Sequence, residues 1–226
     1  NDTAVRVNVC IDYVNCRAVS PRRADIKAML TFIFKAFNKT DDKIAEITHI
    51  LSSIEGCAII YTNSRKKTRE LSDELTRLGI SSTYYHAGLD IAVKTKRQQD
   101  WQNNIVRVIV ATNAFGMGID KPDVRLVIHI DIPDSVEAYF QEAGRAGRDG
   151  TNAECILIYN SADVHTNQFL IEHSEPNPDL TIEQQDLLRD RDYDRLKRMT
   201  FYSTTNTCLR NFILDYFGEK SSNYCG

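Results

Sequence analysis

Residues 108–129 read VIVATNAFGMGIDKPDVRLVIH. Two apolar runs flank a loop that carries Gly116, Gly118 and Asp120. The runs VRVIVAT (106–112) and RLVIHI (125–130) are rich in β-branched residues and lack the polar alternation of a half-exposed strand. Such runs suit strands covered on both faces. Moving outward, CAIIY (57–61), ISSTYYH (80–86) and ECILIYN (154–160) read as further strands. Helical stretches separate them. Asn63 and Ser64 can cap RKKTRELSDELTRLG (65–79), where Leu71, Leu75 and Leu78 fall at i, i+4 and i+7 and Gly79 supplies the stop. AVKTKRQQDWQNN (92–104) is a polar helix anchored by Trp101. Asp134 and Glu137 form a capping-box pattern for a helix that runs to about residue 143. Strands alternating with helices predict an α/β fold, a parallel sheet with helices on both faces. Its functional groups belong in loops at the carboxyl ends of the strands.

The chain has 226 residues, 42% hydrophobic and 26% charged, which suits one large domain with an appendage. No apolar run approaches the roughly 18 residues of a membrane span. NDTAVRVNVC at the start lacks the basic and apolar regions of a signal peptide. Cysteines at 10, 16, 57, 155, 208 and 225 lack the dense spacing of a disulfide scaffold, and Cys57 and Cys155 read as buried thiols. A reducing, intracellular compartment is expected. The net charge of −3 argues against a surface coated in basic charge, although a local basic strip suffices for nucleic acid.

Residues 46–160 read as the α/β unit. From 161 to 226 the pattern changes: SEPNPDL (174–180) is a loop, and IEQQDLLRDRDYDRLKRMTFYS and TNTCLRNFILDYFG look helical. Residues 1–45 are unassigned, with RVNVCIDYV a possible strand and MLTFIFKAF (29–37) a strand or a buried helix.

Four stretches carry candidate chemistry. QEAGRAGRDG (141–150) sets Arg145 and Arg148 among three glycines. Glycine lets an anion approach the backbone, and arginine offers a permanently charged fork of donors. The same residues equally describe a solvated helix end. The loop after 108–112 places Thr112, Gly118 and Asp120 where phosphate and ribose hydroxyls are bound in such sheets, or is a flexible turn. YTNSRKKTREL (61–71) offers a helix N-terminus with a cationic strip of Arg65, Lys66, Lys67 and Arg69, or a capped surface helix. YYHAGLD (84–90) places His86 at a strand end, as a phosphate contact or as an ordinary loop histidine.

Their order is more informative than any one of them. Strand-NSR-helix, strand-HAGL, strand-ATNAFGMGIDKPDVR and then QEAGRAGRDG closely resembles the second motor lobe of the RecQ family of superfamily 2 DNA helicases, over roughly residues 45–226. Gln141 and AFGMGIDKP favour that family over the related DEAD-box RNA helicases. TCLRNFILDYFGEKSSNYCG (207–226) resembles the start of the family's zinc-binding domain, with Cys208 and Cys225 at the first two of four ligand positions. SPRRADIKAML (20–30) matches the family's usual approach to this lobe only loosely.

The resemblance implies a RecA-like sheet followed by a helical segment of a zinc-binding domain. It implies ATP and Mg²⁺ in the intact enzyme, which unwinds DNA 3′ to 5′ in recombination and repair. Arg148 would be the arginine finger, Arg145 would support nucleotide binding or couple it to DNA, Gln141 would join them in catalysis, and Gly118 and Asp120 would be further nucleotide contacts. Asn63, Ser64, Arg65, His86 and Thr112 would line the single-strand path. The implied partners are single-stranded and partly duplex DNA and the first motor lobe of the same polypeptide, with no membrane. The compartment would be the cytoplasm or nucleoid of a bacterium, or the nucleus of a eukaryote. Zinc is expected in the intact protein and not here, because two cysteines cannot close a four-ligand site.

The sequence contains no G-x-x-x-x-G-K-[ST] and no Asp-Glu-x-His motif. Those parts cradle phosphates and hold Mg²⁺. The chain is therefore expected to be a half-motor, inactive by itself. Two other readings remain at this point: a stand-alone nucleic-acid-binding module, and a superfamily 2 helicase acting on RNA.

Overall fold

A strand that is apolar along its whole length needs cover on both faces. The computed structural model describes residues 9–15, 27–36, 40–116, 119–205 and 207–218. In chain order they form β1 (Val9–Asn15), β2 (Lys27–Ala36), α1 (Thr40–Ser53), β3 (Cys57–Tyr61), α2 (Arg65–Arg77), β4 (Ser82–Tyr85) and α3 (Ile91–Gln102). Then come β5 (Val108–Ala111), β6 (Val124–His129), α4 (Val136–Ala143), β7 (Ala153–Tyr159), α5 (Ser161–Glu172), α6 (Ile182–Thr204) and α7 (Leu209–Tyr216).

The strands make one sheet in the order β1-β2-β7-β6-β3-β5-β4. The last five are parallel, as the continuous apolar runs predict. β2 adds to β7 in parallel, and β1 closes the edge antiparallel to β2. Residues 27–36 are thus a strand, which decides between the two readings of MLTFIFKAF. α1 continues through residues 45 and 46, so a division there cuts a helix.

Alternate strand residues serve two cores. Ala58, Ile60, Val110, Leu126, Ile128 and Ile156 pack with Ile47 and Leu51 of α1 and Leu71 and Leu75 of α2. Ile59, Tyr61, Ile109, Val127 and Leu157 face the other way, toward Trp101, Val136, Tyr139, Met199 and Ile213. Trp101 also donates its indole N–H to the Ala58 carbonyl at 3.1 Å, which spares the buried ring an unmade bond.

Two local expectations need correction. Leu78 is 43% exposed, because it sits at the C-cap of α2 where the chain has left the helical path; Gly79 then takes the left-handed turn at φ +84°. The cap of α4 is Ser135 and not Asp134. Ser135 is extended, and its hydroxyl accepts from the Ala138 N–H at 3.1 Å. Glu137 instead accepts from the Tyr216 hydroxyl at 2.7 Å, tying α4 to α7.

β5 and β6 flank β3, so the chain must cross β3 between them. Among the described residues of 112–123 the crossing has no helix. Phe115 and Ile119 supply the apolar cover that a helix would give, at 0% and 6% exposure. Lys121 pins the crossing to the end of α3, donating to the Gln102 carbonyl at 3.1 Å and Asn104 Oδ1 at 2.9 Å and pairing with Asp123 at 3.0 Å. The crossing carries the glycine loop to the residues after α4.

α6 opens with a capping box between Thr181 and Gln184 and buries Leu196, Met199 and Tyr202. Among the described residues, no helix is long and apolar enough to cross a membrane.

Candidate functional site

Beyond α4 the chain turns at Gly144 and again at Gly147, where φ is +60°. The Gly147 N–H donates to the Val124 carbonyl at 2.9 Å and the Asp149 N–H to Pro122 at 3.2 Å. An Arg125–Asp149 ion pair closes the turn and holds the Asp149 carboxyl down at about 2. This fixed turn aims both arginines at the β5–β6 crossing.

Arg145 is 9% exposed. Its Nη1 donates to the Gly116 carbonyl at 2.6 Å, and the charge of its guanidinium lies near enough to the Tyr61 phenol to offset a little of the effect of burial there. Its Nε is buried without a hydrogen-bond partner. Tyr61 donates its hydroxyl to the Phe115 carbonyl at 3.1 Å, and burial pushes its phenol far above the ordinary range. Gly116 has φ +152°, and a Cβ there would overlap the Arg145 guanidinium. Arg145 therefore faces inward and clamps the glycine loop.

Arg148 is more accessible, with a quarter of its side chain exposed. Its Nε donates to the Gly144 carbonyl at 3.2 Å and Nη1 to Ile119 at 3.1 Å, and it pairs with Asp120 at 3.5 Å. Gln141 is exposed one turn before Arg145. Arg148, Asp120 and Gln141 are thus reachable from outside. Gly118 lies outside the described residues.

The second group lies at the carboxyl ends of three neighbouring strands, β3, β5 and β4. The Thr62 N–H donates to Ala111 O at 2.9 Å and the Thr112 N–H to Tyr85 O at 3.1 Å, which joins the ends into one rim. Ser64 caps α2, its hydroxyl accepting from the Lys67 N–H at 3.4 Å. Arg65 reaches across to Gly88, where a Cβ would stand 3.1 Å from its Nη1. His86 Nδ1 is buried without a partner, and desolvation, then Arg65 and Arg97, lower the ring's affinity for a proton. Arg97 lies over the Tyr84 ring at 3.6 Å. Asn63 turns its amide inward, donating to the Ile132 carbonyl at 3.0 Å and Asn167 Oδ1 at 3.4 Å.

The cationic strip is less free than its sequence suggests. Lys66 pairs with Glu70 at 3.5 Å, Arg69 with Asp73 at 3.6 Å and Lys67 with buried Asp131 at 2.8 Å. Burial raises the Asp131 pKa, but bonds from Lys67, Thr62 and Asn63 outweigh it, and the carboxyl stays below its ordinary range. Sequence reading did not single out Asp131, Tyr61 or Lys121. Their one visible signal was a polar or aromatic residue beside an apolar run, which is too common to be diagnostic.

The family model described as the helicase conserved C-terminal domain matches residues 42–150, and the RecQ zinc-binding model matches residues 161–226. The chain is 41% identical to the ATP-dependent DNA helicase RecQ of Bacillus subtilis over 87% of its own length and 32% of that relative. The chain belongs to the RecQ helicase family. The RecQ protein of Haemophilus influenzae is also 41% identical, over 74% of this chain and 26% of that relative. The chain thus spans about a third or less of the curated RecQ relatives it matches. Among solved structures, the Escherichia coli DEAD-box protein SrmB matches with a TM-score of 0.54 at 25% identity, over 66% of this chain and 89% of that one. The RecA-like sheet is common to both kinds of helicase, and the RecQ assignment rests on sequence.

Within the RecQ zinc-binding match, Cys208 is a half-buried thiol at the N-cap of α7, and Cys225 lies outside the described residues. Among the described residues, no group of three or more His, Cys, Asp or Glu side chains is placed to hold a metal. The described residues do not by themselves make a tetrahedral zinc set.

Proposed function

We propose that this chain is the second motor lobe, with the beginning of a zinc-binding domain, of an ATP-dependent 3′–5′ DNA helicase that acts in recombination and repair. The observation that carries the reading is the placement of Arg148. It is held over Asp120 at the β5–β6 crossing, partly exposed, on a chain whose sequence has no phosphate cradle. A cation fixed by backbone carbonyls yet open on one side suits an anion brought by a partner surface. The partner is the first motor lobe of the same polypeptide, which supplies the cradle and Mg²⁺. Arg148 stabilises charge on the γ-phosphate oxygens during transfer to water. Gly118 and Asp120 meet the nucleotide, and Gln141 sits beside it. Arg145 holds the glycine loop in place for them. Zn²⁺ belongs to the longer protein, with Cys208 and Cys225 as two of its four ligands.

The rim of Ser64, Arg65, His86 and Thr112 contacts the backbone of single-stranded DNA, and Asn63 orients it from behind. Backbone N–H groups, a helix N-terminus and a cation serve phosphate recognition without reading sequence. The helicase acts inside the cell, where DNA is.

The test is ATP hydrolysis by this 226-residue chain and by the longer polypeptide that carries it, with and without single-stranded DNA. Silence from the chain beside DNA-stimulated turnover by the longer protein is the expected result. Turnover by the chain alone would overturn the half-motor reading. One relative, a putative ATP-dependent RNA helicase of Acanthamoeba polyphaga mimivirus, is 40% identical over 74% of this chain. Stimulation by RNA in place of DNA would move the substrate accordingly.

A further inference from the structure

Tyr61 is the last residue of β3 and stands directly before the Thr62-Asn63-Ser64-Arg65 segment at the rim. It is 3% exposed. Its hydroxyl meets the crossing that carries the glycine loop: it donates at 3.1 Å to the carbonyl of Phe115, the residue before Gly116. Arg145 in turn holds the carbonyl of Gly116 at 2.6 Å. The Tyr61 ring stacks on His129 at 5.1 Å between centroids, and His129 Nε2 lies 2.8 Å from Glu142, one turn before Arg145 on α4. The hydroxyl is thereby seated against the glycine loop, and the ring against a histidine held by α4, the helix that leads into the arginine turn. The Arg145 Nε, buried and unpartnered, gives the guanidinium no alternative polar seat on that side.

The two groups meet along the chain at Thr112, which belongs to the rim and opens the crossing, and whose carbonyl accepts from the Phe115 N–H at 2.9 Å. Thr62 and Asn63 bond to Asp131, while Arg148 bonds to Gly144, Ile119 and Asp120. The phenol adds a buried side-chain path from the end of β3 to the same loop. A phenol held protonated by burial donates at any working pH, so the link does not open by titration.

We infer that the Tyr61 hydroxyl couples the rim at the end of β3 to the glycine loop that Arg145 clamps, so that occupancy of the rim by DNA sets the position of that loop and of Arg148, which meets nucleotide. This rests on the helicase reading above. Tyr61 touches neither DNA nor ATP and is a positioning residue. Its removal should alter how strongly DNA accelerates turnover, and should leave ATP affinity alone, because the phosphate cradle lies in the other lobe.

The experiment uses the full-length helicase and its Tyr61→Phe variant, which keeps the ring and its stacking on His129. Amide exchange in peptides covering the β5–β6 crossing is expected to speed up about fivefold or more, with β3, β5 and β6 still protected. The stimulation of ATPase by saturating single-stranded DNA is expected to fall about fivefold, with KM for ATP within about twofold. Faster exchange with unchanged stimulation would overturn the coupling and leave a structural bond. Unchanged exchange would overturn the latch itself. Absence of DNA stimulation in the unsubstituted enzyme would overturn the helicase reading, and the coupling with it. An unsubstituted enzyme that responds normally beside an unaffected variant overturns the coupling alone.

Discussion

Arg145 places its Nη1 2.6 Å from the carbonyl oxygen of Gly116, across 29 residues of chain. A buried cation is tolerable only when bonded, and here a backbone carbonyl does the bonding. The contact dictates the residue it meets. Gly116 has φ +152°, and its missing side chain is the space that the guanidinium fills. Gly116→Ala incurs both backbone strain and displacement of a buried charge, an expected loss of about 2–4 kcal/mol. Gly79→Ala is the control. Its φ is +84° but nothing lies within 4 Å of the added carbon, so only the strain of about 1 kcal/mol applies. Urea unfolding of both variants at constant m-value measures the difference.

Arg148 differs from Arg145 in what its loss should do. Its bonds include two carbonyls and an exposed carboxylate, so Arg148→Ala leaves no buried charge stranded among them. Stability is expected to change by less than about 1 kcal/mol. ATP turnover of the full-length helicase is expected to fall about 10³-fold or more, the size of an arginine-finger effect. Normal turnover by a folded Arg148→Ala enzyme would remove Arg148 from the chemistry.

What could be read ahead of the structure was what depends on neighbours in sequence. The parallel sheet was legible because β3, β5 and β6 are apolar at every position or nearly so, and burial on both faces leaves that trace. The turn at Gly79 and the buried anchor Trp101 were legible for similar local reasons. α1 was not found, although Ile44, Ile47, Leu51 and Ile54 have helical spacing, because a division at residue 45 cut the pattern. α5 buries only Asn167 along its length and so has almost no apolar stripe to read. Ser135 lost to Asp134 as the expected cap because both are good cap residues and only the backbone path separates them. The inward turn of Arg145 was hidden for another reason: the carbonyl it bonds is 29 residues away, and no local pattern encodes a contact made by the sheet order.

The acid limb of the stability curve should carry the signature of the turn beneath the arginines. Bonds from Arg125 hold the Asp149 carboxyl at about 2, against 3.8 for the free side chain. A depressed folded-state value means that the stabilisation is full above the unfolded value and disappears as pH falls through the folded one. Asp149→Asn is therefore expected to cost stability at pH 7, to cost less below pH about 4, and to match the parent below pH about 2. The site is partly exposed, so the cost at neutral pH is discounted to about 1 kcal/mol. Urea midpoints at several pH values test this, and a difference that persists undiminished at the lowest pH would show that Asp149 acts through something other than its charge.

The rim offers the sharpest discrimination among cations that look alike in sequence. Lys66, Lys67 and Arg69 each have a carboxylate partner, whereas Arg65 has no ion pair among the described residues and stands against Gly88 and the half-buried His86. A cation already neutralised has little left to offer a phosphate; one held at the rim by geometry alone has its full charge available. In the full-length helicase, Arg65→Ala is expected to weaken single-stranded DNA binding about three- to tenfold at moderate salt. It should also lower the slope of log affinity against log salt by about 0.7, the share of one phosphate contact on a single strand. Lys66→Ala and Arg69→Ala, on the exposed side of α2, are expected to change affinity less than about twofold and to leave the slope where it was. Equal losses for all three would mean that the strip acts as a diffuse field, and that the contact geometry at the end of β3 does not select Arg65.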